Sequence, residues 1–124
     1  MIANFVEHLG IEFTEIGDDF LKAKMPVDAK THQPLGFVHG GATAALAETV
    51  ASAAANYCVG KDQVCVGLDL NINHIRPVKE GFVIASTTAL HLGKRTQVWE
   101  IKIVNEAGQL VSAARLTIAV IAKD

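Results

Sequence analysis

The sequence predicts an α+β domain in which one long central helix is wrapped by a curled antiparallel sheet of about six strands. Three observations carry that expectation: one long alanine-rich helical segment, period-two alternation in several stretches around it, and turn compositions between those stretches. The helix lies within HQPLGFVHGGATAALAETVASAAA and continues to Val59. Alanine has the highest helix propensity, and small side chains let a helix lie close to neighbours on nearly all sides. At 1.5 Å per residue the helix is about 28 Å long, enough to cover one face of a small sheet.

The other elements follow in order. Residues 2–8 form a short helical candidate. Residues 11–16 and 20–25 flank Gly17-Asp18-Asp19, a turn composition, and read as a hairpin. After the long helix, residues 64–74 alternate cleanly, with Val64, Val66, Leu68, Leu70 and Ile72 on one side and Cys65, Gly67, Asp69, Asn71 and Asn73 on the other. Residues 81–92, 96–105 and 109–121 are three further strands, the last two joined by the turn Asn105-Glu106-Ala107-Gly108. A sheet built this way keeps an uncovered edge or face, so self-association is expected.

With 124 residues, 50% hydrophobic and 19% charged, and with no repeat, low-complexity tract or linker, the chain reads as one domain over residues 1–124. A formal net charge of −2 and the lack of any lysine or arginine run argue against nucleic acid as a partner. Cys58 and Cys65 have neither a C-x-x-C spacing nor a nearby histidine pair, which fits a reducing cytoplasm and no zinc site. The start MIANFVEHLG has no secretory-signal pattern. Residues 41–59 approach membrane-spanning length, yet they are mostly alanine, hold Glu48 at the centre and have no basic flank, so no membrane role is expected.

Glu48 is the one acidic residue between His39 and Val59. At 100° per residue it shares a sector of about 100° with Thr49, Ser52 and Asn56. A solvated stripe explains such a pattern as readily as chemistry does. The start of the helix tips the balance. His39-Gly40-Gly41 leaves backbone N–H groups accessible at the positive end of the helix dipole, where they can polarise a carbonyl or hold an oxyanion. Glu48, two turns on, is too far to reach the same oxygen unless a second copy places its helix opposite.

HQPLGFVHGGATAALAE, followed by VGLDLNINHIRP and LHLGKRTQVWEI, closely resembles the hotdog-fold acyl-CoA thioesterases of the Arthrobacter-type 4-hydroxybenzoyl-CoA thioesterase group. Within that group it resembles the branches acting on 1,4-dihydroxy-2-naphthoyl-CoA and in enterobactin proofreading. Three motifs in order span nearly the whole chain. The resemblance implies a hotdog fold, homodimers paired into tetramers, and hydrolysis of an acyl-CoA substrate to free acid and CoA without metal or other cofactor. The chain starts later than these relatives, which bears on substrate choice more than on chemistry.

Position by position, the resemblance makes Glu48 the catalytic carboxylate, acting as nucleophile or as general base on water. Gly40 supplies the N–H that polarises the thioester carbonyl, with Gln33 and His39 as supporting polar groups, and Ser52 helps place the carboxylate or water. For CoA it implies Gly67, then His74, Ile75, Arg76 and Pro77, then His91, Leu92, Gly93, Lys94, Arg95 and Thr96. The basic members suit phosphates through charge-assisted bonds. A metal site from His39, Glu48, His74 and His91 lacks any H-x-x-x-H spacing. A hotdog hydratase or dehydratase would use a histidine and a carboxylate around the same helix, and a non-enzymatic acyl-CoA sensor would have no need of Glu48.

Overall fold

A computed structural model describes residues 4–124. Helix α1 spans Phe5–Leu9, so the expected helix falls partly on residues 2 and 3, which lie outside the described residues. Asn4 caps its start by accepting from the Glu7 N–H at 3.0 Å, and Gly10, at φ 76°, ends it in the left-handed conformation that glycine adopts without strain. Strands β1 (Glu12–Ile16) and β2 (Leu21–Pro26) form the expected hairpin. Helix α2 runs Gly40–Tyr57, and β3 (Gln63–His74), β4 (Phe82–Leu92), β5 (Thr96–Val104) and β6 (Leu110–Ala122) follow. No described helix is long and apolar enough to cross a membrane.

The six strands make one antiparallel sheet in the order β1-β2-β4-β5-β6-β3, open at both edges. The hairpins β4-β5 and β5-β6 keep sequence neighbours adjacent, whereas the passage through α2 carries the chain from β2 to the far edge, where β3 pairs with β6. Helix α2 lies across one face of the sheet. Ala42, Leu46, Ala47, Val50, Ala51, Ala54 and Ala55 pack against Met25, Val83, Ala85, Ile101, Ile103, Leu116 and Ile118 in one core. Alanine dominates the contact side, as close helix-on-sheet packing requires. Within a protomer, however, only that side is covered: Gly41, Glu48, Asn56 and Tyr57 are exposed, and Ala44, Ala45, Ser52 and Ala53 are half-buried.

The alternation expected along β3 does not run through. The register with β6 slips between Gly67 and Asp69, where Leu68 is the extra residue of a bulge. Because side chains alternate with period two, one inserted residue exchanges the two faces beyond it. Cys65 and Gly67 therefore face α2 before the bulge, and Leu70, Ile72 and His74 face it afterwards. Val66 and Leu68, expected on the apolar side, are 42% and 62% exposed on an edge strand.

Candidate active site

The site begins in the loop before α2. Gln33 donates its backbone N–H to the Phe37 carbonyl at 2.7 Å, and its Oε1 accepts from the N–H groups of Leu35 at 2.5 Å and Phe37 at 3.4 Å. The loop thus closes on the Gln33 carbonyl oxygen and leaves the side-chain NH2 without a partner among the described residues. His39 is the N-cap of α2, with extended backbone, and its Nδ1 accepts from the Gly41 N–H at 2.7 Å. Gly40, the first helical residue, has no acceptor for its N–H among the described residues, as expected where the helix has no preceding turn.

Gly40 also lies close against a histidine ring. A Cβ there would lie 2.8 Å from Nε2 of His74, which reaches over from the end of β3. Nδ1 of the same ring lies 3.1 Å from Ser112 Oγ and 3.4 Å from Thr43 Oγ1, and Thr43 donates to the Gly40 carbonyl at 3.0 Å. Gln33, Gly40, Thr43, His74, Arg76 and Ser112 line one cleft of about 290 Å³, completed by Phe37, Val38, Ile75, Pro77 and Val111. His39 is not part of it. Its ring faces a separate depression shared with Phe5, His8 and Lys30, so in the protomer its work is capping.

Glu48 sits eight residues along α2, about 12 Å from Gly40. Its carboxylate rests on the backbone of Gly67, where a Cβ would come within 2.5 Å of Oε2 and 3.2 Å of Cδ. Gly67, expected to contact CoA, thus also provides the seat for the carboxylate. Ser52 follows one turn later. One turn further, Asn56 clamps helix to strand: its Oδ1 accepts from the Cys65 N–H at 2.9 Å, and its Nδ2 donates to the carbonyls of Cys65 at 3.2 Å and Ser52 at 2.8 Å. The polar stripe of α2 therefore faces the β3 edge, part of it tied down and part of it open.

The second basic cluster is elsewhere. Gly93 N–H donates to the Thr96 carbonyl at 2.9 Å, closing the β4-β5 turn that holds His91, Leu92, Lys94 and Arg95. Ser112, the partner of His74 in register, pairs with Ile103 on β5, and Thr96 lies seven residues from Ile103 along that strand. At about 3.3 Å per residue the two clusters are about 23 Å apart, at opposite ends of the sheet. One protomer thus brings Gln33, Gly40, His74, Ile75, Arg76 and Pro77 together, pairs Glu48 with Gly67, and leaves the loop of residues 91–96 apart from the first group but near the second, since Gly67 and Gln97 flank Ile118 on either side of β6. Sequence reasoning missed Thr43, Ser112 and the clamp by Asn56. A serine in the mostly apolar stretch LVSAARLTIAV was the available signal for Ser112.

Comparison with known proteins agrees with this architecture. Residues 35–112 match the model of the thioesterase superfamily. The chain is 48% identical over 118 residues to the 1,4-dihydroxy-2-naphthoyl-CoA hydrolase of Escherichia coli, covering 95% of this chain and 87% of that protein. It is 48% identical over 119 residues to the proofreading thioesterase EntH of Cronobacter turicensis, covering 96% and 87%. A solved thioesterase of Haemophilus influenzae superposes with a TM-score of 0.93 at 48% identity, over 94% of this chain and 82% of that one. The long helix against a six-stranded antiparallel sheet is the hotdog fold, and the chain belongs to the thioesterase superfamily as a thioester hydrolase.

Proposed function

We propose that the protein hydrolyses an acyl-CoA thioester to free acid and CoA, at a site where Glu48 of one protomer faces Gln33 and Gly40 of its partner. The observation that carries this reading is the separation of a seated, exposed carboxylate from an open helix start by about 12 Å along one helix. Two antiparallel copies of α2 related by a two-fold axis beside Ala44 would put position 40 of one opposite position 48 of the other. Ala44 and Ala45, half-buried in the protomer, are small enough for that approach. The exposed Val66 and Leu68 on the unpaired β3 edge supply apolar surface for the same contact. We further assign the Arg76 cluster and the loop of residues 91–96 to one CoA site from different chains, in a dimer of dimers. With both cysteines free, the cytoplasm is the compartment we assign.

In this site the thioester oxygen accepts from the Gly40 N–H while the Glu48 carboxylate acts on the carbonyl carbon. As a general base it takes a proton from water, and the resulting hydroxide adds to the carbon. As a nucleophile its own oxygen adds, and water later cleaves the mixed anhydride. Either way the tetrahedral oxyanion is held at the helix start, the C–S bond breaks, and the thiolate leaves and is protonated. Such a donor and such a carboxylate each contribute about 3 to 4 kcal/mol to catalysis.

The test is Glu48→Gln, which keeps shape and removes charge. It should fold, assemble and bind CoA normally while kcat falls about 10² to 10⁴-fold; a variant keeping a third of the activity would refute the role. Mixing Glu48→Gln chains with Gln33→Ala chains then tests sharing. Random reassortment gives half mixed dimers with one intact site of two, so activity should recover to about a quarter of wild type. A site contained in one chain would show no recovery.

A further inference from the structure

The buried hydroxyls behind His74 determine which of its ring nitrogens carries the proton. Thr43 and Ser112 are 1% and 0% exposed, and both oxygens approach Nδ1, at 3.4 and 3.1 Å. The Thr43 proton is already committed, because Oγ1 donates to the Gly40 carbonyl at 3.0 Å; what Thr43 offers the ring is a lone pair. Ser112 differs. Among the described residues its hydroxyl has one hydrogen-bond partner, Nδ1 of His74, and a buried hydroxyl proton with no acceptor is costly. Every buried proton finds an acceptor only if Ser112 donates to Nδ1, which leaves Nδ1 bare and puts the ring proton on Nε2. Nε2 is the atom that stands over Gly40, 2.8 Å from where a Cβ would be. The cleft therefore presents two N–H groups at the same helix end.

We propose that Ser112 is a positioning residue that holds His74 in its Nε2–H tautomer, so that His74 donates, beside the Gly40 amide, to the thioester oxygen as it becomes an oxyanion; this rests on the hydrolytic reading above for what occupies the cleft. Thr43 makes the device sensitive. Once the Ser112 hydroxyl is removed, Nδ1 faces only the Thr43 lone pair, which favours a proton on Nδ1 and strips Nε2 of its own.

Nitrogen NMR of the ligand-free protein tests this directly, because the two neutral tautomers give distinct ¹⁵N shifts and cross-peak patterns for the His74 ring. Wild type should show Nε2–H, Ser112→Ala should show Nδ1–H, and Thr43→Val should still show Nε2–H. With a CoA thioester, Ser112→Ala should lose about tenfold or more in kcat with KM changed less than about twofold. Nδ1–H in wild type, an unshifted tautomer in Ser112→Ala, or an unchanged kcat in that variant overturns the proposal. If Ser112→Ala fails to fold, the wild-type and Thr43→Val spectra decide, and Nδ1–H in either overturns it. Glu48→Gln separates the two readings: full activity in that variant would refute the hydrolytic role of the carboxylate while leaving the tautomer result standing, and its collapse alongside an unshifted Ser112→Ala would refute only the role of Ser112.

Discussion

Gly67→Ala isolates the placement of the carboxylate from its chemistry. The new Cβ would lie 2.5 Å from Glu48 Oε2, against 3.4 Å for ordinary contact, so the oxygen must retreat by about 0.9 Å. The other near neighbour, Leu116 Cδ1 at 3.5 Å, needs no movement. No left-handed backbone is involved, since Gly67 is not among the glycines with positive φ. The strain therefore falls on the flexible end of Glu48, and the fold should lose less than about 1 kcal/mol, since Ala is no worse than Gly in a strand. Catalysis is less forgiving: a displacement of about 1 Å in a reacting group costs up to about 10²-fold. We expect kcat, followed by thiol release from a panel of CoA thioesters, to fall about 30 to 100-fold with the melting temperature nearly unchanged. The split between kcat and KM matters as much as the size. A rise in KM alone would mean that Gly67 serves CoA only, and a kcat within threefold of wild type would refute the argument that it seats the carboxylate.

Asn56→Ala removes three hydrogen bonds and leaves the Cys65 N–H and carbonyl on the β3 edge without that clamp; we expect a loss of about 1 to 3 kcal/mol, measured by urea unfolding, partly offset where water reaches the edge. Replacing Arg76, Lys94 or Arg95 by Ala should raise KM for a CoA ester about tenfold with a smaller change in kcat, and an acyl-pantetheine hydrolysed as well as the CoA ester would contradict that assignment. Burial, with the charge of Cys58 adding to it, pushes the Cys65 thiol above its ordinary 9.0. The unfolded chain then releases this proton first, so the contribution of Cys65 to stability is intact below pH 9.0 and declines as pH rises beyond it. Unfolding of wild type and Cys65→Ala on both sides of that pH should show the gap between them narrowing, and iodoacetamide at neutral pH should label the exposed Cys58 ahead of buried Cys65.

Much of the architecture was legible because it rests on local physics. Alanine content marked α2, the turns at Gly17-Asp18-Asp19 and Asn105-Glu106-Ala107-Gly108 marked two hairpins, and every expected strand is present with its ends moved by at most one residue. The helix entry at His39-Gly40 was equally legible, since a capping side chain and an N–H without a preceding turn are local features. Strand β3 shows the limit. Its composition alternates without a break, yet the bulge at Leu68 reverses the faces, because pairing with β6 and packing under α2 together decide which residues turn inward.

The sequence by itself determined which residues carry charge, which segment is helical and where its positive end begins, all consequences of side-chain type and short-range spacing. It also determined that Glu48 stands apart from that end by eight residues along one helix, about 12 Å. Only the tertiary structure decided what surrounds these groups. Gly67 lies nineteen positions from Glu48 and becomes its seat because β3 returns beside α2, and Ser112 lies thirty-eight positions from His74 and meets its ring because β6 pairs with β3. The same folding moved the loop of residues 91–96 away from Arg76, to the far end of the sheet. Contacts of this kind follow from strand order and register, which are global solutions to burying one apolar face, and neither is written in any short stretch of chain.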